Sequence, residues 1–132
     1  MPSIFSKIIA GDIPAYKVAE TNEFLAFLDI APLTEGHLLV IPKKEVDNLF
    51  DLDDETYTGL MLFAKIVAGA MKKVIPCNRI GVTVIGLEVP HAHIHLIPIN
   101  TMDDMNFARP KLKFTPEQFR ATADKIREAL SK

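Results

Sequence analysis

Apolar and polar positions along the chain fall into an ordered set of segments. Ile4, Phe5, Ile8 and Ile9 recur at helical spacing behind Ser3, a good capping residue, and Gly11 ends the pattern. Extended segments are predicted over 16–19, 23–29 and 37–41, with Thr21-Asn22 as a turn, 31–36 as a turn-forming link and Pro42 as the stop. Asp51 or Asp53 starts the longest helix, whose first turn is acidic. Along it Leu60, Ala64, Val67 and Met71, and also Phe63, Ile66 and Ala70, recur at i+3/i+4, until Pro76 stops it. Residues 80–85 and 93–99 predict two further strands joined through 86–90. Residues 101–113 show no period and predict an irregular, mobile, solvated loop. Thr115 and Gln118 form a capping box around Pro116, opening a last helix with Phe119, Ala123, Ile126 and Leu130 on one stripe.

The order is helix, three strands, helix, two strands, helix. It predicts an α+β fold: a single domain with a mainly antiparallel five-stranded sheet and helices packed on one side. The apolar surface of the long helix is wider than one buried stripe needs. Either it faces the sheet and a partner chain at once, or it is a core helix with some exposed apolar residues. No internal repeat, low-complexity tract or linker is visible.

Composition narrows the function classes. At 132 residues, 48% of them apolar, the chain supports one well-cored domain. A net charge of −2 gives no footprint for nucleic acid or an anionic membrane. The single Cys77 excludes an internal disulfide framework and any zinc site needing two cysteines of one chain. No signal peptide or membrane-length apolar run is visible, so the expectation is a soluble cytoplasmic protein with a small ligand.

The chemistry concentrates in His91-Ala92-His93-Ile94-His95; the one other histidine is His37. In an extended strand this alternation puts three imidazoles on one face. A metal site is one reading, but the outer two Cα atoms would be about 13 Å apart on a flat strand, and no carboxylate lies nearby along it. Satisfied core histidines are a second reading, although each would need partners for two ring nitrogens. The third is nucleophilic catalysis at phosphorus, with His93 attacking between two positioned neighbours.

The run 91–97 resembles the histidine-triad (HIT) signature, H-φ-H-φ-H-φ-φ with φ apolar. Residues 4–15 resemble the N-terminal block of that family, 24–30 its nucleoside-binding strand, and 32–43 its P-x-x-x-G-H-x-L-V-I-P-K block, in the family's order. The resemblance implies a HIT domain over 1–110, with 111–132 as a helical tail of the same domain. It implies a homodimer formed through the long helix and a sheet edge. It implies a hydrolase or transferase that cleaves at the α-phosphate of a purine nucleotide through a nucleotidyl-histidine. His93 would be the nucleophile, His95 the contact to phosphoryl oxygens or leaving group, and His91 and His37 the support. Asp29 would hold the ribose hydroxyls, with Phe27 and Ile30 flanking the base. The bland readings are core packing for Phe27 and Ile30 and a turn residue for Asp29. No cofactor is required; zinc is admissible but not expected for catalysis.

The chain departs from the family's pattern just before the triad. The loop is short, Leu87 stands where a glutamine is usual, and Glu88 follows it. Leu87 cannot donate to a phosphate, and Glu88 beside one would repel it. The expectation is weakened activity or a cationic leaving group. A dinucleoside polyphosphate hydrolase of the Fhit type and a nucleotide-binding protein with weak or lost catalysis stay open.

Overall fold

The computed structural model describes residues 2–131. Ser3 opens α1 (Ile4–Ile9) by accepting the Ser6 N–H at 3.0 Å, one of the donors a first helical turn leaves unmatched. Strands β1 (Lys17–Glu20), β2 (Phe24–Leu28) and β3 (Leu38–Pro42) follow. The Thr21 hydroxyl takes the N–H groups of Glu23 and Phe24 and so makes the turn between the first two. Asp53 is the cap of the long helix α2 (Asp54–Val74). Asp51 belongs to a separate 3₁₀ turn, Leu49–Asp51, cut off by the extended backbone of Leu52. Then come β4 (Arg79–Thr83), β5 (Ile94–Ile99), a 3₁₀ turn at Met102–Met105, and α3 (Pro116–Leu130) behind its Thr115–Gln118 capping box.

The five strands form one sheet in the order β1-β2-β3-β5-β4, and every neighbouring pair is antiparallel, as the pattern predicts. The strand ends shift by one or two residues from those predicted, and two of the shifts have a physical reason. Pro42 does not stop β3 but is its last residue, opposite Phe24, where a missing N–H costs little. β4 ends at Thr83 opposite His95, so Val84 and Ile85 lie beyond the ladder.

Every residue of β2 and β3 is buried, because the sheet is covered on both faces. Ala26, Leu28, Leu38, Val40, Ile94 and Leu96 pack with α2 and α3. Leu25, Phe27, Leu39 and Ile41 pack with Phe5 and Ile8 of α1. The two long helices thus share one side, as expected, while the six-residue α1 lies on the other. That side carries a second apolar row, which needs its own cover. The α3 stripe of Phe119, Ala123 and Ile126 joins the α2 core, whereas Met61, Leu62 and Ile66 of α2 remain exposed. Among the described residues no helix is long and apolar enough to cross a membrane.

Gly36 sets the entry to β3, with φ at +91°. A Cβ there would collide with the buried Ile75 side chain and lie 3.4 Å from Pro98 Cγ. Gly36→Ala therefore combines left-handed strain with overpacking. We expect it to cost about 2–3 kcal/mol, read as a lower urea midpoint at unchanged slope.

Candidate active site

All three triad histidines are buried. Of the three, only His95 lies within β5; His91 and His93 precede it, on chain held by the Ala92 N–H to the Val46 carbonyl at 2.7 Å. The alternation nevertheless holds. Ala92, Ile94 and Leu96 face the α2–α3 core, and the imidazoles gather on the side of α1. There the Phe5 ring stands edge-on to His91 and His93, at 5.8 Å and 5.0 Å.

Fixed backbone partners determine which nitrogen of each ring carries the proton. His93 Nδ1 lies 2.7 Å from the His91 carbonyl oxygen, which can only accept, so Nδ1 carries a proton and Nε2 is the nitrogen left to offer a lone pair. His91 Nε2 donates likewise to the Pro42 carbonyl at 2.7 Å, and its Nδ1 accepts the Ser3 hydroxyl at 2.8 Å. Glu45 fixes that hydroxyl by taking the Ser3 N–H at 2.6 Å. His37 Nδ1 accepts the Leu33 N–H at 3.0 Å, so its proton is on Nε2 and is donated to His95 Nδ1 at 3.0 Å. His95 consequently carries its own proton on Nε2. The nucleophile candidate offers a lone pair, and its neighbour offers an N–H.

Burial disfavours the charged form of His37, His95 and His91. It pushes His37 down to about 3 and His95 down to about 4, with the neighbouring His95 and His93 adding a smaller push in each case. His91 is lowered too, again mainly by burial. Asp29, at the end of β2, accepts the Ala31 N–H at 2.8 Å and lies 3.6 Å from His37 Nε2. Burial holds its carboxyl above the ordinary value.

Asp29, His37 and His95 bring one potential ligand atom each within 4.8 Å, the one such metal-sized group among the described residues. The carboxylate that spacing along β5 could not supply thus comes from β2. The donor set fits an ion poorly, however. His37 Nε2 has a lone pair only if the proton moves to Nδ1, directly against the Leu33 N–H. The cluster is better described as a hydrogen-bond chain.

The other expected residues separate. Phe27 is only 3% exposed and packs on Phe5, as a core residue would. Ile30 is 71% exposed beside Asp29 and free to meet a ligand. Leu87 is 89% exposed; Glu88 is also exposed, yet its charge still reaches Asp29. Three contributors carry no signal for the site in the sequence pattern, the Leu33 amide, Ser3 and Glu45, and a fourth, the ring of Phe107, carries little. Phe107 lies edge-on 5.0 Å from His95, so the segment 101–113 is not the free surface loop its composition predicts. An aromatic in that polar stretch was the one available hint.

The sign of the pH dependence follows from the lowered histidines. Below their unfolded value of 6.5 the unfolded chain binds protons that the native state refuses, so stability falls on acidification. Each such histidine contributes a slope of about 1.4 kcal/mol per pH unit between 6.5 and its folded value. Asp29, shifted upward from 3.8, opposes this only near and above that value. Urea midpoints measured from pH 7.5 to 5 should fall, and His37→Gln should flatten the fall by one histidine's worth.

The HIT domain model matches residues 10–102. The adenosine 5′-monophosphoramidase hnt1 of Schizosaccharomyces pombe is 37% identical over 131 residues, covering 96% of each chain. A Hit-like protein from Bartonella henselae has a similar crystal structure, with a TM-score of 0.86 at 35% identity, covering 96% of this chain and 95% of that one. A zinc-bound histidine triad family protein from Mycobacterium smegmatis aligns with a TM-score of 0.82 at 29% identity, over 97% of this chain and 92% of that one. The motif in the sequence, the five-stranded antiparallel sheet and the gathered histidines agree with these likenesses: the chain belongs to the HIT family.

Proposed function

We propose that this chain is a nucleotide hydrolase or transferase acting at the α-phosphate of a purine nucleoside monophosphate derivative, with an adenosine 5′-phosphoramidate as the model substrate. The observation that carries the reading is the tautomer of His93, with Nδ1–H on the His91 carbonyl and Nε2 as a lone pair. Nε2 forms the bond to phosphorus as the bond to the leaving group breaks. Charge developing on the ring is stabilised by that carbonyl. Water then replaces His93 at phosphorus and releases the nucleotide. His95 is neutral at pH 7 and holds its proton on Nε2, so its part is hydrogen bonding to phosphoryl oxygens rather than proton delivery. The departing amine takes its proton from solvent. Asp29 is the group suited to ribose hydroxyls, and Ile30 to one side of the base.

The likeness to a monophosphoramidase supports this substrate over a dinucleoside polyphosphate. The exposed Leu87 and Glu88, which bring no donor to a phosphate, favour weak or lost catalysis as the second reading. No cofactor enters this mechanism; the Leu33–His37 bond is the reason for giving zinc no part in it. We place the activity in the cytoplasm, in keeping with a single free cysteine.

We also propose a homodimer. β4 is a sheet edge with Val82 exposed, and Met61, Leu62 and Ile66 of α2 are uncovered apolar surface. A second copy would cover both.

Two measurements test these readings. Mixing enzyme with adenosine 5′-phosphoramidate should give a stoichiometric burst and label His93, and His93→Ala should abolish it and lower kcat by about 10³-fold or more. A wild type that binds AMP without a burst would leave the binding-protein reading. Sedimentation should give twice the chain mass for the wild type and the monomer mass for Ile66→Asp. A monomeric wild type would end the dimer proposal.

A further inference from the structure

Residues 101–112 cross beside the histidines and are tied down at several points. Thr101 and Asp104 make a capping box, and Asp104 also accepts the Asn100 N–H at 2.7 Å and pairs with Arg109 at 3.0 Å. Arg109 Nη1 donates to the Asp103 carbonyl at 2.8 Å. Lys111 Nζ donates to the carbonyls of Phe107 and Arg109 at 2.5 Å and 3.2 Å. The Phe107 ring is thereby held edge-on against His95 at 5.0 Å and His37 at 6.1 Å. Two bonds reach the turn that opens toward β3. Leu112 N–H donates to the Pro32 carbonyl at 2.9 Å, and Arg109 Nη2 makes a longer contact to the Leu33 carbonyl at 3.5 Å.

That turn matters out of proportion to its size. Its Leu33 N–H is what keeps the His37 proton on Nε2. Were the amide to swing away, water could accept a proton from His37 Nδ1. The His37–His95 bond would then reverse, with His95 Nδ1 donating and His95 Nε2 left as a lone pair. A lone pair facing a phosphoryl oxygen repels it where an N–H attracts it. Water reaching the pair would also permit both tautomers, and the Phe107 ring lies against both rings.

We propose that residues 101–112 are a strap that fixes the protonation geometry of the site: Phe107 is a positioning residue for His95, and Arg109 a positioning residue for the Pro32–Leu33 turn that holds His37. The effect on catalysis rests on the hydrolase reading; the effect on the tautomers does not.

Long-range ¹H–¹⁵N spectra of the full chain report the histidine tautomers directly, and steady-state kinetics with adenosine 5′-phosphoramidate reports their consequence. The wild type should show His37 and His95 as single Nε2–H tautomers. Phe107→Ala and Arg109→Ala should each give mixed tautomers at both rings and a kcat lowered about tenfold with KM within about twofold, the signature of a lost transition-state contact. Phe107→Leu, which keeps an apolar cover, should restore most of the loss, and added guanidinium should restore Arg109→Ala. Unchanged spectra in both alanine variants overturn the proposal, whether or not kcat falls. Mixed tautomers in the variants of a wild type that hydrolyses nothing would uphold the strap while removing the hydrolase reading.

Discussion

Burying four imidazoles together leaves no solvent to stand in for a missing partner, and that constraint organises the site. One nitrogen each of His93, His91 and His37 is matched by a group whose hydrogen-bonding sense cannot change, the carbonyls of His91 and Pro42 and the amide of Leu33, and the His37–His95 bond passes that sense on to His95. Because a carbonyl never donates and a backbone amide never accepts, the tautomers are fixed by main chain. The side of the His93 ring left to offer a lone pair and the N–H of His95 are therefore properties of the fold. The same burial keeps His37 and His95 neutral, which trades acid stability for defined hydrogen-bond polarity.

Elements far apart in sequence exist in their present form to supply those partners. The Ser3 that caps α1 also holds His91, so one hydroxyl serves a helix terminus and a ring 88 residues away. Gly36 lets the chain turn tightly from Leu33 into β3, bringing the amide back onto His37. The hydrogen-bond chain also decides what the cluster is. Asp29, His37 and His95 have the proximity of a metal site, but the Leu33 amide occupies the nitrogen that would have to take up the displaced proton.

Much of the fold was legible because local signals agreed with global ones. Ser3, Thr115 and Gln118 cap where their side chains say they should. The all-apolar runs at 24–28 and 38–42 are strands because a sheet covered on both sides needs no alternation. The side of the sheet that α1 takes was not legible, since Phe5 and Ile8 would suit either. Nor was the ordering of 101–113, whose polar composition resembles a loop but whose Arg109, Lys111 and Leu112 spend their hydrogen bonds on main-chain carbonyls.

By itself the sequence determined the element order, the family, and the shared face of His91, His93 and His95, since a period of two in an extended chain is a matter of covalent geometry. The tertiary structure alone decided which nitrogen of each ring bears a proton, that Asp29 and His37 join His95, and that Phe107 covers them. Those facts depend on groups as many as 88 residues apart being brought together, and outside the local signature of a helix cap nothing in the pattern marks which residue's amide or carbonyl a buried ring will meet.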